Sequence, residues 1–176
     1  MPFLLGLLAL AGAAYFWLSR ARSAVTMAQD MADMAGDVLN AARRFGFRRR
    51  ADLHAVECLD DAKVAAAAVG IAFLELAGLP STEQQDALIR SLQQHLGQSH
   101  EQAQEAVILG RWLITECGNA QSGLDRLARR LFKLQGHAAF EPVMLVLRDV
   151  AAGNRGGMSQ RQHEALESLA VIFRLR

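Results

Sequence analysis

With 176 residues, 19 basic and 18 acidic side chains and 52% hydrophobic residues, the chain is long enough for one domain of ordinary size and too apolar for a disordered polyelectrolyte. Its formal net charge of +1 provides no global basic field, so no nucleic-acid partner is expected. Its two cysteines, Cys58 and Cys117, exclude a disulfide scaffold and are expected to be reduced and packed as small apolar residues.

The first element is the run from Phe3 to Leu18, which carries no charge and stops at Ser19-Arg-Ala-Arg22. With Pro2 and Ser19 the uncharged stretch measures roughly 27 Å as a helix, near the lower limit for crossing a bilayer. Tyr15, Phe16 and Trp17 stand just before the arginines, where an aromatic belt meets the headgroups. A cleaved signal peptide needs a basic start and a small-x-small cleavage site, and neither is present in clear form. Residues 1–19 are therefore expected to be a retained single-pass anchor. Arg20, Arg22, Arg43, Arg44, Arg48, Arg49 and Arg50 all follow the span, which orients the N-terminus outside and the remainder in the cytoplasm.

Residues 20–50 are expected to form a basic helical stalk. Ala21, Ala24, Ala28, Met31, Ala35, Val38 and Ala42 recur at three- and four-residue steps, with Gln29, Asp30, Asp33, Asp37 and Asn40 opposite. Such a stripe packs on its own domain or on a second copy of itself, and Met27, Met31 and Met34 are candidate partner contacts. Gly46 ends the helix between Phe45 and Phe47. The seven arginines named above are candidate contacts for anionic lipid headgroups.

Residues 51–176 are expected to form the cytoplasmic helical domain, and from Asp60 onward the pattern is one of helices separated by short turns. Val64, Ala68, Ile71 and Leu74 predict the buried stripe of a helix ending near Gly78. Ser81 and Gln84, Ser99 and Gln102, and Ser159 and Gln162 have capping-box spacing and predict three helix starts. Gly97, Gly118 and Gly136 predict helix ends. Leu124, Leu127, Ala128 and Leu131 mark a helix whose other side carries Arg126, Arg129, Arg130 and Lys133. Of these, Arg126, Arg130 and Lys133 are candidate contacts for an acidic partner or for lipid, with a solvated face as the simpler reading. Two further helices run through Phe140 to Ala151 and Ala165 to Phe173. Six amphipathic segments with short connections bury their stripes only against one another, which makes the fold all-α. The boxes at Ser81 and Ser159, each followed by an acid, an alanine and a leucine at matching positions, also suggest two related halves.

Catalytic chemistry has no persuasive constellation: no Ser/His/Asp grouping, phosphate-cradling loop or carboxylate pair has suitable spacing. His54 and Cys58, four apart with Asp61 nearby, make two ligands and no metal site. His95, His100, His137 and His163 fall at helix ends or caps, where solvent and the helix dipole account for them. No catalytic residue, cofactor or metal is expected.

The run Val64 to Gly78, followed by Ser81-Thr-Glu83 and the helix to Leu96-Gly97, resembles the first half of a TerB-like domain, named for tellurite-resistance TerB. Val143 to Phe173 resembles the second half. The resemblance implies an N-terminal transmembrane helix and stalk followed by a TerB-like helical bundle at the bacterial inner membrane, serving a sensing or adaptor role linked to envelope or metal stress. The acidic Asp-Gly turns of such domains are replaced here by Ala77-Gly78 and Arg155-Gly156, so their cation site does not carry over. The His-Pro-Asp signature of a J domain is absent as well. The expectation is a non-catalytic adaptor for a membrane-bound protein, in contact with the bilayer and with self-association open. The alternative is a structural subunit or assembly factor of a membrane complex.

Overall fold

Every residue from Val64 to Leu74 is apolar and every one is buried, so the helix that carries them needs neighbours on all sides. The computed structural model describes residues 35–153 and 157–173. A helix covers 35–44 (α1), followed by Ala62–Glu75 (α2), Thr82–Leu96 (α3), His100–Glu116 (α4), Ala120–Gln135 (α5), Phe140–Ala152 (α6) and Gln160–Ile172 (α7). Short 3-10 turns at Ala55–Cys58 and Gly136–Ala139 complete the order, and no strand occurs among the described residues. The architecture is thus an all-α bundle. α3, α4, α5 and α6 all pack against α2, while α7 packs on α5.

The chain divides into two compact units, Met1–Asp37 and Val38–Arg176. Only residues 35–37 of the first are described, and they are helical. The expected anchor over 1–19 and stalk residues 20–34, including Arg20, Arg22, Met27, Met31 and Met34, lie outside the described residues. Among the described residues no helix is long and apolar enough to cross a membrane. The expected boundary at residue 50 falls inside the second unit. Ala41 is fully buried and Phe45 and Phe47 pack against the core, so residues 38–50 belong with the bundle.

The helix starts follow the sequence. Ser81, Ser99 and Ser159 each accept a hydrogen bond from the backbone N–H three residues on, and Gln84, Gln102 and Gln162 return one from the cap. Asp61 and Asn119 cap α2 and α5 through their side-chain oxygens. Gly97 ends α3 in the left-handed conformation that costs glycine nothing. The two halves suggested by the boxes at Ser81 and Ser159 pack differently, with α3 lying on α4 and α6 and α7 on α5. Gln162 does more than close a box: wholly buried, it donates from Nε2 to the Phe73 carbonyl at 3.0 Å, satisfying an acceptor at the end of α2.

α2 departs from its predicted stripe because its alanines are buried on the supposed outer side too. Alanine permits this, since a short side chain lets the neighbouring backbone come close. The tightest approach to backbone is at Gly110 of α4, where an added Cβ would lie 2.8 Å from the Ala68 Cα and 3.0 Å from its Cβ. Helix propensity alone favours alanine over glycine by about 1 kcal/mol. Overpacking against backbone opposes it by about 1–3 kcal/mol. Gly110→Ala is therefore expected to lower the Tm by several degrees in thermal unfolding followed by circular dichroism, against its propensity. An unchanged or raised Tm would show that the α2–α4 crossing is not tight.

Candidate functional site

α6 places Val143, Val146, Leu147 and Val150 in the core, yet its outward side is not polar. Phe140, Met144, Leu145 and Ala151 of α6, with Met158 and Leu166 beyond it, line an open apolar cleft of about 440 Å³. Glu141 and Arg148 also border it and are exposed. Seven residues apart, they stand roughly 10 Å from each other along the helix. The cleft thus has an apolar floor and a charge of opposite sign toward each end.

Contacts on its other side hold α6 in place. Asp149 Oδ2 accepts from Ser91 Oγ at 2.9 Å and from His95 Nε2 at 2.7 Å, both on α3. Beside Phe140, which lines the cleft, the ring of Phe173 meets both Phe140 and Phe132, each with centroids 5.4 Å apart. This ties the start of α6 to the ends of α5 and α7. The His95 hydrogen bond, helped by Ser91, holds the Asp149 carboxyl below the usual carboxylate range against an opposing effect of burial. A depressed acid stabilises the fold above its unfolded pKa and loses that contribution as pH falls through its folded value. The stability gap between wild type and Asp149→Asn, measured by urea unfolding, is expected to hold steady from neutral pH to about 5 and to close toward pH 3. A gap independent of pH would remove the carboxylate from this role.

The end of α1 and the arginine-rich segment after it form a strap laid along α4. Arg44 pairs with Glu101 at 2.6 Å and also with Glu105. Phe47 meets Trp112 edge to face at 5.7 Å, and the Arg49 guanidinium lies over the same indole at 5.8 Å while pairing with Glu116 at 2.9 Å. Further on, His54 Nδ1 accepts the Val56 N–H, which leaves Nε2 to donate to the Glu116 carbonyl at 3.2 Å. Cys58 Sγ accepts the Arg50 N–H. Phe45 and Phe47 are thus packed on the bundle, and Arg44 and Arg49 face glutamates. Arg43, Arg48 and Arg50 are exposed and make no ion pair among the described residues.

The basic side of α5 is similarly divided. Arg130 donates to the Leu59 carbonyl at 2.6 Å and to Asp60 at 2.8 Å, with a side chain only 15% exposed, so it fastens the segment before α2. Lys133 stands 3.6 Å from Glu57 on the same segment, while Arg126 and Arg129 are exposed. A second concavity holds the Glu75–Arg111 pair at 3.4 Å beneath Leu79 and Pro80, and burial raises the Glu75 carboxyl despite that partner. Both cysteines are unpaired, and burial raises the Cys117 thiol against the pull of Arg126. Among the described residues no group of three or more His, Cys, Asp or Glu side chains is placed to hold a metal ion.

Sequence reading missed the cleft. Phe140, Met144 and Ala151 read as one apolar stripe with Val143, Leu147 and Val150, and the structure splits that stripe between the core and the cleft, with Leu145 on the cleft side. No protein-family model, no curated protein and no solved structure matches the chain.

Proposed function

We propose that the chain is a membrane-tethered, non-catalytic interaction module of the TerB-like type, at the cytoplasmic face of a bacterial inner membrane. The apolar cleft beside α6 carries this reading. A groove with an apolar floor suits an amphipathic helix that lays one side into it. The Glu141 and Arg148 flanks favour a helix with a base at one end of that side and an acid at the other. The uncharged stretch from Phe3 to Leu18 and the arginines after it support the tether. Confinement to the membrane plane raises the effective concentration of the cleft for a membrane-bound partner without adding a contact. The likeness of Val64–Leu96 and Val143–Phe173 to TerB-like domains supports the same assignment.

The test places a photo-crosslinking amino acid at Met144 in the full chain and, as control, at Arg129 on the exposed side of α5. The expected outcome is a discrete adduct from Met144 that is absent from Arg129 and maps to an amphipathic helix of a membrane protein. Leu145→Glu should reduce it at least tenfold with little change in Tm. Equal labelling from both positions, or indifference to Leu145→Glu, would remove the cleft from the function.

A further inference from the structure

The strap has two sides, and one of them is fully used. Phe47 and Arg49 both touch Trp112, whereas Arg48 and Arg50, the residues between and after them, are exposed and make no ion pair among the described residues. In α1, Leu39 and Arg43 are four residues apart and lie one above the other on a single helix face. Leu39 is 51% exposed and Leu53, at the far end of the strap, 38%. The inner side matches Arg44 and Arg49 with Glu101, Glu105 and Glu116. Arg43, Arg48 and Arg50 are exposed without an ion pair among the described residues, and Asp52 is the one acid in the sequence between Arg43 and Leu53.

We propose that this outer strip, Leu39, Arg43, Arg48, Arg50 and Leu53, is a docking surface for the headgroups of an anionic bilayer, with the three arginines over phosphates and the two leucines at the edge of the acyl region. The proposal rests on the reading of residues 1–19 as an anchor. That anchor is joined to Val38 by the 18 residues from Arg20 to Asp37, which reach at most roughly 60 Å, so the strip stays within range of the surface. Its chemistry is the pairing of basic residues with anionic lipid, supported by shallow apolar insertion. The arginines of the strap therefore divide by task. Arg44 and Arg49 bind the strap to the bundle, and Arg43, Arg48 and Arg50 bind the bundle to the membrane. An anionic surface attracts each nearby arginine strongly enough that its loss weakens docking about fivefold.

The experiment uses the full chain reconstituted into vesicles of phosphatidylcholine alone or of phosphatidylcholine with about one third phosphatidylglycerol. A fluorophore at Leu53→Cys, in a background with Cys58→Ala and Cys117→Ala, reports quenching by brominated lipid. The expected result is quenching in the anionic vesicles only, lost in R43Q/R48Q/R50Q with unchanged Tm and weakened by half-molar salt. R44Q/R49Q should keep the quenching while lowering the Tm. Equal quenching in both vesicle types, or equal loss in the two variants, would overturn the proposal. Flotation separates it from the anchor reading. A chain that floats with neutral vesicles is anchored, whatever the fluorophore reports. One that floats only with anionic vesicles and is released by salt supports the strip and overturns the anchor. One that floats with neither overturns both.

Discussion

Eleven consecutive apolar residues of α2, Val64 to Leu74, are buried without a polar atom beyond the backbone, and this requirement shapes the rest of the bundle. A helix apolar all round must be sheathed, and α3, α4, α5 and α6 provide the sheath. Alanines at 65–68 and 72 keep the sheath close. Gly110 lets the α4 backbone lie against Ala68, and the dispersion gained there depends on that short distance. With its inner residues committed to α2 and α3, α6 is left with Phe140, Met144 and Leu145 on the cleft side.

Local features were legible in the sequence because their causes are local. The three Ser/Gln boxes need only a three-residue spacing, and the glycine stops need only a backbone that tolerates positive φ. What the sequence hid depends on distant partners. The Arg44–Glu101 pair joins residues 57 apart, and Arg130 reaches Leu59 across 71. Both arginines look alike in the sequence to solvated or lipid-facing ones. The α2 stripe was under-read for another reason: alanine scores as weakly apolar on any face, and only the absence of a polar residue between Val64 and Leu74 betrays total burial. The cleft was not legible, since none of the candidate partner contacts read from the sequence lines it. Its position depends on the way Asp149, His95 and the Phe173 ring cluster set α6.

In the proposed function these features combine. The tether supplies proximity, the strap fixes residues 38–50 to α4, and no strap residue lines the cleft beside α6. Partner capture and membrane contact then use separate surfaces and do not compete. Substitutions at Met144 or Leu145 leave the ion pairs of Arg44 and Arg49 intact, and the reverse holds as well, because the two sets share no partner.

Resistance of the full chain to alkaline carbonate extraction from its native membranes tests the proposed tether most directly, because alkaline pH releases proteins held by charge and retains those held by a buried apolar helix. The expected result is that the chain stays with the membrane pellet and is released when residues 3–18 are deleted. Release of the intact chain into the supernatant would contradict a retained anchor and leave only surface attachment.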